Sequence, residues 1–177
     1  MNMYYNSSNQ SYLTFQLANE IFAIHVSRVI KILEMQKITE VPRTPSFMKG
    51  VINLRGDVLP VIDAREKFGM KAAAYGPRTC ILVLTITSEN ETLQVGAIVD
   101  AVLDVVKYPD DQIKKAPALG SRYPSKVMAG VMKKEDDFII ILNVDHVFST
   151  DEIISLNQDM QSQTENSSAS DQSKLKQ

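Results

Sequence analysis

The sequence is poor in the residues that build reactive centres, because its 177 residues include one cysteine, two histidines and no tryptophan. Cys80 alone cannot form an intramolecular disulfide, and the apolar run around it favours a buried thiol over a nucleophile. Neither His25 nor His146 has a second metal ligand at helical spacing. The seven glycines are scattered and form no phosphate-binding loop. We therefore expect no enzyme activity, no catalytic residue, no cofactor and no bound metal.

Charge and hydrophobicity argue against a nucleic-acid-binding protein and against a membrane-spanning or secreted one. The 19 basic and 21 acidic side chains give a net charge of −2 without a basic block, so the electrostatic signature of nucleic-acid binding is missing. No apolar run approaches the roughly 18 residues that span a bilayer, and the first ten residues do not resemble a secretory signal. We expect a cytoplasmic protein, with no nucleic-acid partner and no direct membrane insertion.

Alternating apolar residues predict a chain made mostly of β-strands. Leu13–Leu17 and Phe22–Val26 form a first hairpin, and Val26–Leu33 reads as a helical turn that runs into a strand. Further strands are predicted over residues 79–86, 93–99, 102–106, 127–132 and 138–144. Asp63 is positioned to cap a short helix that ends before Gly69, and Ser149 or Thr150 to cap a C-terminal helix.

Two halves of the chain resemble each other at a spacing of roughly 75 residues. Gly50 and Phe68 recur as Gly130 and Phe148, and the Ala/Gly/Pro-containing segment 71–77 marks the boundary between the halves. This predicts two similar small β-units, one over about residues 11–70 and one over about residues 78–157. The polar segments 1–10 and 158–177 are expected to be disordered. Which unit the N-terminal strand joins is left open by the pattern.

The least ordinary stretch runs from Gly50 to Phe68 and reads as a hairpin around Gly56-Asp57. Pro60 lacks a backbone N–H, so its strand is expected to lie at an edge or a bulge. Alternation places Asn53 and Arg55 opposite the apolar residues, which exposes a guanidinium beside the turn. Such residues form either a solvated hairpin tip or a recognition surface.

The segment Asn53-Leu54-Arg55-Gly56, with Lys49-Gly50-Val51 before it and Leu59-Pro60-Val61-Ile62-Asp63 after it, resembles the signature of the CheW family of chemotaxis coupling proteins. The resemblance extends upstream through Ile38–Pro42 and Pro45–Phe47, and more loosely to about Phe148. It implies a mostly β fold of two five-stranded SH3-like barrels packed side by side, with short helices and a C-terminal helix. It also implies a non-catalytic adaptor that couples transmembrane chemoreceptors to a CheA-type histidine kinase.

Two binding surfaces follow from this resemblance. A groove between the barrels would take the cytoplasmic helical tip of the receptor, and the first barrel would meet the regulatory domain of the kinase. The residues implied in protein binding are Val29, Lys31, Gly50, Asn53, Leu54, Arg55, Gly56, Val99 and Val102. The chain departs from the family at Lys31, where a glutamate able to pair with the motif arginine is common.

Two alternatives remain at this point. Small β-barrels also bind nucleic acids, although they do so through basic grooves with stacking aromatics. Within the family, the chain could serve a pilus-linked or other chemosensory pathway instead of flagellar control.

Overall fold

The computed structural model describes residues 8–89, 91–115 and 126–148. Within these ranges the chain forms ten β-strands and two short α-helices. The strands are β1 Asn9–Leu17, β2 Glu20–His25, β3 Val29–Glu34, β4 Met48–Leu54, β5 Asp57–Asp63, β6 Cys80–Thr87, β7 Thr92–Val99, β8 Ala101–Pro109, β9 Met128–Lys134 and β10 Asp137–Leu142. The helices are α1 Ala64–Lys67 and α2 Val144–Val147, and the 3-10 turn Val26–Arg28 joins β2 to β3.

The strands form two five-stranded sheets. The first has the order β8-β1-β2-β10-β9 and the second the order β3-β6-β7-β5-β4. Most neighbours are antiparallel, but β2 pairs with β10 and β5 pairs with β7 in parallel. This mostly β architecture confirms the predicted fold class and is consistent with two SH3-like barrels.

Each sheet contains strands from both halves of the chain, so the sheets do not follow the units expected at 11–70 and 78–157. The first two strands of each half cross over, so β1 and β2 join β8–β10, while β6 and β7 join β3–β5. The division of the chain into two consecutive barrels was therefore wrong. A strand that crosses over lies between two cores and buries both of its faces. Both faces of such a strand must therefore be apolar.

Strand β6 shows this pattern most clearly. Ile81 and Val83 face a core inside the second sheet, which they form with Ile52, Leu59, Val61 and Ile98. Leu82, Leu84 and Ile86 face the opposite way, into a larger central core to which both sheets contribute. The uninterrupted apolar run that surrounds Cys80 in the sequence is thus buried on both sides of one strand.

The central core is held together by aromatic stacking. Phe22 is fully buried, and its ring lies 5.7 Å from the ring of Phe68 and 6.0 Å from that of Phe15, measured between centroids. Phe15 and Phe22 belong to the first sheet. Phe68 directly follows α1, the helix that comes after β5 of the second sheet. Stacked rings at this spacing add to the free energy gained by apolar burial, so the two sheets form one folding unit.

Two ion-pair clusters, which we call the Arg28 clamp and the Arg65 clamp, tie the halves of the chain together. In the Arg28 clamp, Arg28 donates to the Asp145 carboxylate at 2.5 Å, and that carboxylate also accepts from Thr87 N–H at 2.7 Å. Each clamp takes its base from the first half and its acid from the second.

In the Arg65 clamp, Arg65 reaches both oxygens of Asp100, with the shortest contact at 2.5 Å, and Asp100 also accepts from Ala18 N–H at 2.6 Å. The hydrogen bond to Asp100 raises the pKa of the Arg65 guanidinium. A carboxylate that accepts several donors in this way is held in one orientation. The clamp thus fixes the β1–β2 turn against α1.

The echo between the halves extends to their local geometry. One extra residue interrupts the register of β3 at Ile30 and of β8 at Leu103, and again of β4 at Lys49 and of β9 at Ala129. Thr39 bridges the outer edge of β4 at Val51, as Lys114 bridges β9 at Val131. Equivalent β-bulges at equivalent places confirm that the sequence repeat reflects a structural repeat.

Local predictions are confirmed in some places and corrected in others. Asp63 caps α1 by accepting from Glu66 N–H at 3.2 Å, as expected. Strand β1 begins at Asn9, so the disorder expected over 1–10 does not hold for residues 9 and 10, and residues 1–7 lie outside the described residues. Val144, expected at the end of a strand, begins α2. The expected C-terminal helix, the tail 158–177 and the end of the second unit lie outside the described residues.

Candidate protein-interaction site

The β4–β5 hairpin closes through a two-residue turn at Arg55 and Gly56. Leu54 pairs with Asp57 across it, and the φ angles of Arg55 and Gly56 are 52° and 89°. Two consecutive positive φ angles are typical of the tight turns that match the twist of hairpin strands. The guanidinium of Arg55 is thereby presented at the exposed tip of the hairpin, as the sequence predicted.

Asn53 and Gly50 have structural roles in this hairpin. Asn53 Oδ1 accepts from Gly56 N–H at 2.8 Å, which locks the turn. Gly50 has a φ of 139°, and a Cβ there would lie 2.0 Å from the backbone oxygen of Thr39. Only glycine allows Thr39 and Val51 to exchange their two backbone hydrogen bonds of 2.9 and 2.8 Å. These two residues shape the site without offering it a side chain.

Strand β5 lies between β7 and β4, so the expectation of an edge strand at Pro60 was wrong. Pro60 pairs with Val51 on one side, and the ladder with β7 begins only at Val61. The missing N–H therefore interrupts no hydrogen bond to β7. Leu54 is half-buried against the core inside the second sheet, so it anchors the tip on which Arg55 is exposed.

Lys31 lies in strand β3, next to the half-buried faces of Val29 and Leu33. Glu34 points to the opposite face of the strand, so it does not screen Lys31. Within residues 8–89, 91–115 and 126–148, the side chains of Lys31 and Arg55 make no hydrogen bond and no ion pair. Both cations are therefore unpaired with respect to the described part of the chain.

Two strips of exposed apolar side chains lie on the edge strands of the two sheets. Ile30 and Ile32 form the β3 strip, and Leu103 and Val105 form the β8 strip. All four are between 41% and 53% exposed. Ile30 and Leu103 are the extra residues of the two bulges, so equivalent distortions direct an apolar side chain outward in both halves. Exposed apolar residues at sheet edges are characteristic of contact surfaces.

Of the valines implied in protein binding, Val29 and Val102 are half-buried against the central core, whereas Val99 is 1% exposed and belongs to that core. Val99 contributes packing, and its assignment as a contact residue is corrected by its burial. The two strips were not predicted, because they are exposed where β3 and β8 lie at the edges of their sheets, and these edge positions depend on pairing with the distant strands β6 and β1.

The groups considered for chemistry have structural surroundings. The imidazole of His25 caps the Val26–Arg28 turn by accepting from Ser27 N–H at 3.1 Å, and its Nε2 lies 2.7 Å from Gln10 Oε1. Burial raises the pKa of the Cys80 thiol, which disfavours the reactive thiolate. In the part of the chain that the structure describes, no three His, Cys, Asp or Glu side chains group as metal ligands.

The described helices have four or fewer residues, and none of them is long and apolar enough to cross a membrane.

Comparison with known proteins gives one consistent result. A family model described as a CheW-like domain matches residues 11–152. A chemotaxis protein CheW of Klebsiella aerogenes is 31% identical over 144 residues, which cover 81% of this chain and 84% of the relative. The protein FrzA of Myxococcus xanthus is 29% identical over 143 residues, or 80% of this chain and 86% of the relative.

A solved structure resembles the fold over most of its length. The scaffolding protein TtCheW of Thermoanaerobacter tengcongensis superposes with a TM-score of 0.73 at 27% sequence identity. The match covers 86% of this chain and 96% of that protein.

Proposed function

Because the chain belongs to the CheW family, we propose that it is a non-catalytic adaptor that couples chemoreceptors to a CheA-type histidine kinase. The observation that carries this proposal is the pair of strips on β3 and β8. Four exposed apolar side chains, with no group of metal-ligating side chains among the described residues, favour recognition of another protein. The adaptor acts in the cytoplasm, at the inner face of the membrane that holds the receptors.

The strips suit the apolar face of a helix. Both strands begin beside the central core, where Val29 and Val102 are half-buried, so each strip continues a surface that starts between the sheets. An amphipathic helix binds such a surface through side chains one turn apart. We assign the cytoplasmic tip of a chemoreceptor to these strips, with Val29 and Val102 at their inner ends.

The hairpin tip is assigned to the regulatory domain of the kinase. Arg55 is an exposed cation, it has no acidic partner in the described chain, and it projects from a turn that is fixed by Asn53. An exposed base on a fixed turn suits an acidic group on a partner, because little backbone motion is lost on binding. Lys31 is a second unpaired cation, on β3.

The receptor assignment is tested by placing a charge in a strip. Ile32→Lys is expected to weaken binding to a receptor signalling-tip fragment at least about tenfold, because the ammonium must be desolvated against an apolar helix face. Binding is measured by calorimetry against the purified fragment. Phe138→Lys, which alters a similarly exposed residue outside both strips, is the matched control and should bind normally. Equal affinity in the two variants would count against this assignment.

The kinase assignment is tested with hairpin variants whose effect on kinase activation is compared with their effect on the free energy of unfolding. Arg55→Ala is expected to change the free energy of unfolding by no more than about 1 kcal/mol, the scale of an exposed charge, yet to reduce kinase activation in reconstituted arrays clearly. Asn53→Ala is the comparison, because it removes the bond to Gly56 N–H and should cost about 1 kcal/mol of stability. Full coupling by the Arg55 variant would contradict the assignment.

The alternatives are not equally supported. Nucleic-acid binding gains nothing from the comparisons, and the net charge of −2 argues against it. Service in a pathway other than flagellar control stays open within the family, since FrzA is among the relatives.

A further inference from the structure

Every ladder that joins one hairpin to another pairs the first half of the chain with the second. These ladders are β1–β8, β2–β10, β3–β6 and β5–β7. Within a half, the named strands pair only as the local hairpins β1–β2, β4–β5, β6–β7 and β9–β10. An isolated two-stranded hairpin is marginally stable in water. Each half therefore presents strand edges that only the complementary half completes.

The connection between the halves takes no part in either sheet. Residues 71–78 are exposed throughout. They are attached through Tyr75, whose hydroxyl donates to Asp63 Oδ2 at 2.9 Å, and through a turn in which Thr79 N–H donates to Gly76 O at 3.2 Å. The four ladders can form whether residues 71–78 link the two halves within one molecule or the two halves come from different molecules. The same pairing is available between two molecules when the connection is extended.

We propose that a second copy of this chain can serve as the partner for each half, giving an intertwined dimer. Residues 9–70 of one copy pair with residues 79–148 of the other, and the reverse, so that both sheets and both clamps form twice. The dimer carries two complete sets of β3 and β8 strips at a fixed separation. Exchange of identical elements is a low-cost route to dimers because the interface is already built into the monomer. The dimer does not depend on the proposed adaptor function.

Pairing of the two halves within one chain competes with formation of the dimer. A short flexible connection gives the two halves an effective concentration in roughly the millimolar range, so a micromolar solution of the unaltered chain refolds mainly as monomer. The dimer becomes detectable when pairing between the two halves of one chain is made unfavourable and pairing between halves of two different chains is not. The clamps allow this design, since both place the base in the first half and the acid in the second.

The experiment uses two full-length variants, Arg65→Asp and Asp100→Arg. In either variant alone, every Arg65 clamp brings like charges together, whether it closes within a chain or between copies. In the mixed dimer, one unit regains the native pair and the other a reversed pair. Unfolding the variants together and refolding them at equal concentration is expected to give a 1:1 species of twice 19.8 kDa. Its thermal midpoint should exceed those of the separately refolded variants by roughly 4 °C or more.

Matched controls define the outcomes. The double variant carrying Arg65→Asp and Asp100→Arg in one chain regains an ion pair without a partner and should refold as a monomer. The Arg28 clamp supplies an independent second pair, Arg28→Asp and Asp145→Arg. A 1:1 dimer from either pair, by light scattering after size exclusion, supports the proposal. Mixtures of both pairs that stay monomeric, or that aggregate while the double variant refolds, overturn it.

Discussion

Gly50→Ala is expected to lower the free energy of unfolding by about 3 kcal/mol or more, because two penalties combine at this position. The φ of 139° is unfavourable for any residue with a Cβ. The new methyl group would also lie 2.0 Å from the backbone oxygen of Thr39, which is not a flexible side chain. The bridge between Thr39 and Val51 must open, and β4 would lose the cover of its outer edge.

Gly130 is the natural control, since it occupies the equivalent place in β9. A Cβ there would meet Ile113 Cγ2 at 2.5 Å and the Lys114 backbone oxygen at 3.1 Å, and its φ lies outside the left-handed region. A side-chain methyl can move aside, so Gly130→Ala should cost only about 1 to 2 kcal/mol. Urea unfolding of both variants measures the difference. Equal losses would mean that the β4 edge relaxes more easily than its backbone contact implies.

Phe22→Ala should be at least as damaging, with an expected loss of about 3 to 5 kcal/mol. Phe22 is 0% exposed and stacks on Phe15 of its own sheet and on Phe68 beside the other. Removing the ring leaves a cavity where the two sheets meet. Both sheets should therefore unfold together at a lower urea midpoint, in one transition with an unchanged slope.

Phe138→Ala is the matched control for this change. Phe138 is 60% exposed on β10, so its truncation should alter stability by less than about 0.5 kcal/mol. Tryptophan is absent, so the transition is followed by tyrosine fluorescence and by circular dichroism. Two separated transitions in the Phe22 variant would show that the sheets are independent units, contrary to the shared central core.

The sequence predicted elements well where one local signal decided them. Asp63 before Ala64 and the turn at Gly56 depend on neighbouring residues alone. The cap was placed correctly, and the turn lies one residue earlier than the expected Gly56-Asp57. The partition of strands between sheets was not predictable in this way. Alternation shows that Phe15 and Phe22 are buried, but not that β1 lies beside β8 instead of beside a strand of its own half.

The candidate site shows the same limit. Arg55 was found from its motif, whereas the strips on β3 and β8 were missed because the position of a strand at a sheet edge depends on distant pairing partners. Val99 was misassigned for the same kind of reason. It lies on β7, an inner strand of its sheet, and its side chain faces the central core.

The exchange of strands between the halves also sets a schedule for folding during synthesis. The β1–β2 hairpin leaves the ribosome early, but Phe22 and Ala23 must wait for Ile140 and Ile141, about 120 residues later. At 5 to 20 residues per second, this delay lasts roughly 6 to 24 s. The free edge of β1 waits only for β8, about 90 residues later, whereas the free edge of β2 stays unpaired for the whole delay. The topology that joins the finished protein into one unit therefore leaves an unpaired strand edge during synthesis, and such an edge is where a neighbouring nascent chain can pair wrongly.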